Sequence, residues 1–123
     1  MVKKILVVDD EPDTLSLLGM TLARAGYTVL KAATAKACLE TARKEQPDLI
    51  ILDVMLHDGS GVDVLKTLRA EPSPPPIILF TAKGRIEDMS EGLDAGAFKY
   101  LVKPTSREKL LETVKAALAE TKK

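Results

Sequence analysis

Three stretches of this chain are apolar at every position, and each is only four residues long: 5–8 (Ile-Leu-Val-Val), 49–52 (Leu-Ile-Ile-Leu) and 77–80 (Ile-Ile-Leu-Phe). A run that short, without alternation and rich in β-branched residues, reads as a strand buried on both faces. Strands of that kind belong to parallel sheets covered by helices on each side. Two more apolar runs, 27–31 and 99–102, complete a set of five.

Longer segments with helical spacing separate these runs. The first begins after Glu11-Pro12, with proline in a helix's first turn, stacks Leu15, Leu18 and Leu22, and ends at Gly26. The second starts from a Thr34 cap, carries Ala35, Cys38, Leu39 and Ala42 on one stripe, and stops at Gln46-Pro47. The third starts near Ser60, with Val62, Leu65 and Leu68 inward, and gives way to the proline-rich connector at 71–76. That connector cannot be helical. The fourth uses Ile86, Met89 and Leu93 and closes at Gly96; the fifth opens on the capping-box pattern Thr105-x-x-Glu108 and stacks Leu110, Val114, Ala117 and Leu118.

Five β-then-α units imply an α/β fold: a five-stranded parallel sheet, flavodoxin-like, in the order 2-1-3-4-5, with helices on both faces. The 123 residues fit a single domain spanning 1–123. Lys plus Arg equals Asp plus Glu at 18 each, so bulk charge attracts neither nucleic acid nor a membrane surface. One cysteine, Cys38, excludes an intrachain disulfide; its place on the apolar stripe makes it a buried packing residue. The four-residue apolar run at the N-terminus is too short for a signal-peptide core or a membrane span, so the cytoplasm is the expected compartment.

Sheets of this kind bind ligands beyond the carboxyl ends of their strands, at the switch between strands 1 and 3. The residues there are Asp9, Asp10 and Glu11 after strand 1, Asp53 after strand 3, Thr81-Ala82 after strand 4 and Lys103-Pro104 after strand 5. Singly each has a plain structural explanation: an acid after a strand often caps a helix, and a loop lysine is usually solvated. Together they form a set with one chemistry. Three carboxylates repel one another, raising their pKa values, unless a cation compensates. A hard divalent ion such as Mg2+ takes carboxylates and waters and leaves positions open for phosphate oxygens. Lys103 can neutralise a second phosphoryl oxygen and Thr81 can donate a hydrogen bond to a third. Asp53 remains as a nucleophile able to form an aspartyl phosphate.

With these residues in view, the chain resembles the bacterial two-component response-regulator receiver domain. The resemblance rests on Val-Val-Asp9-Asp10-Glu11-Pro12, Asp53 closing the third strand, Thr81-Ala82-Lys83, Gly92-Leu-Asp-Ala-Gly96-Ala and Tyr100-Leu-Val-Lys103-Pro104, in that order along nearly the whole chain. It implies that Asp53 accepts a phosphoryl group from a sensor histidine kinase or phosphotransfer protein. It implies Mg2+ (or Mn2+) bound by Asp10, Asp53 and the backbone carbonyl of Met55, with Asp9 acting through water. It implies that Lys103 pairs with the phosphoryl group or the acidic cluster, and that Thr81 and Tyr100 act as a switch. The face made by the fourth helix, fifth strand and fifth helix would be the docking or homodimer face toward a downstream effector. The only catalysis implied is of the domain's own phosphorylation and dephosphorylation; neither nucleic acid nor membrane is contacted directly. A cis Lys103-Pro104 bond is also expected. The chain departs from the pattern at His57, where the family often has proline, which puts an imidazole near the site, and at Thr105, where an aromatic often follows Lys-Pro.

Rival readings fit less well. A flavin carrier would need a phosphate-holding loop where Asp9-Asp10-Glu11 would repel phosphate, and the chain has no Trp and only Tyr27 and Tyr100 to stack on the ring. A small dehalogenase-like phosphatase would place a second aspartate two residues after the strand-1 nucleophile, and a nucleotide hydrolase would carry a Gly-x-x-x-x-Gly-Lys loop; neither pattern is here. A degenerate receiver that binds partners without phosphate would lack one of the chemical residues, and all are present.

Overall fold

The computed structural model describes residues 2–82 and 86–119, with the backbone alone at 86–88. Lys83, the side chain of Ile86 and the polar tail at 120–123 therefore lie outside the described residues.

Chain order is β1 (Lys4–Val8), α1 (Pro12–Arg24), β2 (Thr28–Ala32), α2 (Ala35–Glu45), β3 (Leu49–Leu52), β4 (Met55–Leu56), β5 (Gly59–Ser60), α3 (Gly61–Arg69), β6 (Ile77–Thr81), α4 (Ile86–Asp94), β7 (Lys99–Val102) and α5 (Arg107–Ala119). The main sheet is parallel with order β2-β1-β3-β6-β7. Since β6 and β7 are its fourth and fifth strands, this is the expected 2-1-3-4-5 arrangement. The antiparallel hairpin β4–β5, which pairs Met55 with Ser60 and Leu56 with Gly59, has no signature in the sequence. Two residues per strand leave too little pattern to read.

The continuous apolar runs are explained by two cores. Successive strand residues point to opposite faces. Leu6, Val8, Ile50, Leu52, Ile77 and Leu79 face α2, α3 and α4, where Cys38, Leu65, Leu68 and Met89 meet them. Ile5, Val7, Leu49, Ile51, Ile78 and Phe80 face α1 and α5 and meet Leu18, Leu22, Leu110 and Val114. Each such side chain contributes about 1.5–3 kcal/mol on burial, and neither face could be polar without losing one core.

Local signals place most helix ends. Thr34 accepts from the Ala37 N–H at 3.0 Å and Ser60 from the Val62 N–H at 3.1 Å, capping α2 and α3. Two readings need correction. Helix α5 is capped by Ser106, whose hydroxyl accepts from the Lys109 N–H at 3.0 Å while its carbonyl takes the Leu110 N–H, so Thr105-x-x-Glu108 is one residue out of register. Leu93 is 46% exposed; the inward residue beside it is Gly92. A side chain at Gly92 would come within 2.5 Å of Leu79 and 3.2 Å of Tyr100, so α4 packs through a glycine that apolar periodicity cannot register. The Lys103-Pro104 bond is cis, as expected.

Candidate functional site

Four strands deliver the site. Val8 is level with Leu52 and Thr81 with Val102, so Asp9, Asp53 and Lys103 each stand one step past a registered strand end. Backbone hydrogen bonds extend the ladder over these residues. Asp53 N–H donates to the Val8 carbonyl at 3.0 Å, Lys103 N–H to the Thr81 carbonyl at 2.8 Å and Asp9 N–H to the Ala32 carbonyl at 3.1 Å. The main chain that carries the acids and the lysine is therefore held like a strand rather than a loop.

The side chains converge as the sequence requires. Lys103 Nζ donates to Asp9 Oδ2 and, at 3.2 Å, to Asp53 Oδ2. It also lies 5.5 Å from the centre of the Phe80 ring. The other oxygens of both aspartates take backbone N–H groups: Asp9 Oδ1 from Glu11 at 2.9 Å, and Asp53 Oδ1 from Met55 at 3.1 Å. Glu11 makes no side-chain cap on α1, so the simple capping explanation for this acid fails. Asp9 and Asp53 are buried; Asp10 is partly exposed and meets His57 Nε2 through its Oδ2 at 3.5 Å.

Burial pushes the Asp9 carboxyl above its ordinary value, against the pull of the Lys103 hydrogen bond and the Glu11 N–H; the charge of Asp53 adds the smallest upward push. Mutual repulsion was the expected cause, and desolvation is the larger one. Burial would also lower the Lys103 ammonium, but its hydrogen bond to Asp9 and the charges of Asp53 and Asp9 outweigh it and hold its pKa above 10.5.

Asp9, Asp10 and Asp53 each offer an oxygen, all within 4.8 Å of one another. With Lys103 their formal charge is two negative, the counterpart of a divalent cation. An all-carboxylate donor set of this charge fits Mg2+ or Mn2+. Met55 follows Asp53 by two residues and is tied to it by the N–H bond; its side chain is 57% exposed. Thr81 is buried at the end of β6, and Tyr100 is buried on β7 beneath α4. Register puts Tyr100 level with Leu79, so Thr81 and Tyr100 lie two residues apart on the same face.

Two supporting residues escaped the sequence reading. Gly61 lets the loop after β3 fold back over the acid: any Cβ there would collide with the Asp53 carbonyl oxygen and come within 2.9 Å of Val54 Cα. A glycine opening a helix gives little warning of this, because the collision is with a residue eight positions away. Asp58 accepts from the Ala35 and Lys36 N–H groups at 2.7 and 3.1 Å, tying the tip of the β4–β5 hairpin to the start of α2. Those two hydrogen bonds also hold the Asp58 carboxyl below its usual range.

A cavity of about 900 Å3 lies at the opposite rim, lined by Arg43, Gln46, Arg69, Pro75 and Phe98 among others. None of Asp9, Asp10, Asp53, Thr81 or Lys103 lines it.

Comparison with known proteins places the chain in a family. Residues 5–115 match the family model described as the response regulator receiver domain. The chain is 45% identical over 118 residues to the alkaline phosphatase synthesis transcriptional regulatory protein PhoP of Bacillus subtilis, covering 96% of this chain and 49% of that protein. It is 41% identical over 117 residues to the probable transcriptional regulatory protein TcrX of Mycobacterium tuberculosis, covering 95% and 50%. It spans about half the length of these curated relatives. Among solved structures, a response regulator receiver domain protein (CheY-like) from Methanospirillum hungatei superposes with a TM-score of 0.92 at 33% identity, covering 98% of this chain and 97% of that one. Fold, strand-end chemistry and likeness agree: the chain belongs to the response regulator receiver domain family.

Proposed function

We propose that the chain is a phosphorylation-dependent switch whose phosphoacceptor is Asp53. A carboxylate oxygen of Asp53 attacks the phosphorus of a phosphohistidine on a sensor kinase or phosphotransfer protein. The P–N bond breaks as the P–O bond forms, and the imidazole leaves with the electron pair. Asp10, Asp53 and the Met55 carbonyl, with Asp9 acting through water, would hold Mg2+ or Mn2+, which would supply positive charge to the phosphoryl oxygens. Lys103 exchanges its present carboxylate partners for a phosphoryl oxygen, and the Thr81 hydroxyl donates to another. The observation that carries this reading is the single ammonium bridging two buried carboxylates at registered strand ends.

Thr81 then draws the end of β6 toward the phosphoryl group, and Tyr100 under α4 follows, changing the α4–β7–α5 face. A downstream effector domain or protein, or a second copy of the chain, reads that face. No helix among the described residues is long and apolar enough to cross a membrane; we place the chain in the cytoplasm. Incubation with acetyl phosphate and Mg2+ is expected to add one base-labile phosphoryl group, found on Asp53 by mass spectrometry. Full labelling of Asp53→Asn, or labelling of another residue, would overturn the assignment.

A further inference from the structure

His57 takes no part in the scheme above, yet it is the one imidazole of the chain and it stands at the site. Its neighbours fix its backbone from both sides. The β4–β5 pairing joins Leu56 to Gly59, and Asp58 is bound to the first N–H groups of α2. The ring itself is free to move, with the side chain 81% exposed, and its Nε2 is 3.5 Å from Asp10 Oδ2. Asp10 is the carboxylate of the cluster that Lys103 does not touch.

We propose that His57 is a nitrogen donor at the Asp10 edge of the cluster and sets which divalent ion the site prefers. This rests on the metal-assisted phosphoacceptor reading above. Two neighbouring ligands of an octahedral ion, each about 2.1 Å from it, stand about 3 Å apart. A 3.5 Å separation on an exposed, rotatable ring closes to that distance by a small approach. Carboxylates alone suit hard ions. Imidazole adds affinity for Co2+ or Zn2+ and little for Mg2+, which keeps oxygen ligands and water. With His57 in the shell, the selectivity shifts toward the nitrogen-binding ions.

The bland alternative makes a different forecast. If His57 only pairs with Asp10, it competes with every cation, and removing it strengthens all ions alike. The test titrates the full chain and its His57→Gln variant with Co2+, read by its visible absorbance, and with Mg2+ in competition. The proposal expects His57→Gln to weaken Co2+ about tenfold while Mg2+ stays within about twofold. Spin-echo spectra of the Mn2+-loaded parent should show a coupled ring nitrogen that the variant lacks. Equal changes for both ions, or an unchanged ratio without the nitrogen signal, would overturn the proposal alone. A parent that binds neither ion would overturn the metal-assisted reading beneath it.

Discussion

Asp9 is buried between a strand end and an ammonium group, and burial disfavours its charged form. Its folded pKa lies above 3.8, so ionisation carries a penalty absent below that value, growing as pH rises past it and complete above the folded value. Lys103 works the other way: its raised pKa stabilises the fold throughout the range below 10.5 and is lost only as pH climbs through the folded value. Of these two, only the Asp9 effect changes between pH 4 and 7. In EDTA, Asp9→Asn should gain on the parent in melting temperature across that interval. The gain should reach a few degrees, about 1 kcal/mol. Excess Mg2+ should shrink the gap, because the parent keeps the complete site. Calorimetry at pH 4, 5.5 and 7 checks this; a gap that stays flat would mean Asp9 is not strained. The individual acids, Thr81 and Lys103 could be found from sequence because each follows an apolar run by one or two residues. Gly61 and Asp58 could not, since their roles are defined only by a backbone and a helix end distant in the chain.

At the scale of elements, helices were readable wherever apolar side chains marked their buried face, as for α1, α2 and α3. In α4 only the inward place of Leu93 was misread, because the contact face there is Gly92, which has no side chain to mark it. Helix α5 had two hydroxyls in a row, Thr105 and Ser106, and pattern alone chose the wrong one. That choice can be checked. Ser106→Ala should destabilise the fold by about 1 kcal/mol by freeing the Lys109 N–H, and Thr105→Ala by clearly less. Urea unfolding of both variants measures the difference, and equal losses would contradict the Ser106 cap. The β4–β5 hairpin was invisible for a different reason: it is held by Asp58 on α2 and by Gly61 under Asp53 rather than by apolar alternation.

For the whole molecule, the two-sided covering of the sheet followed from three runs apolar on both faces, and its strand order from the succession of five β-then-α units. That sandwich also encloses Cys38. The thiol is fully buried and burial pushes its pKa up to about 12, so at pH 8 it is neither accessible nor ionised. Iodoacetamide should leave the native protein unmodified and react within minutes in denaturant; rapid labelling of the native chain would mean that α2 lifts off the sheet. Slow labelling under native conditions thus counts openings of the molecule, since the reagent records an event only when α2 parts from β1 and β2. The chain carries a built-in clock, one sulfur atom that is silent while the fold is closed. Its ticking can be compared directly between resting and phosphorylated protein, without adding any probe to the surface that partners read.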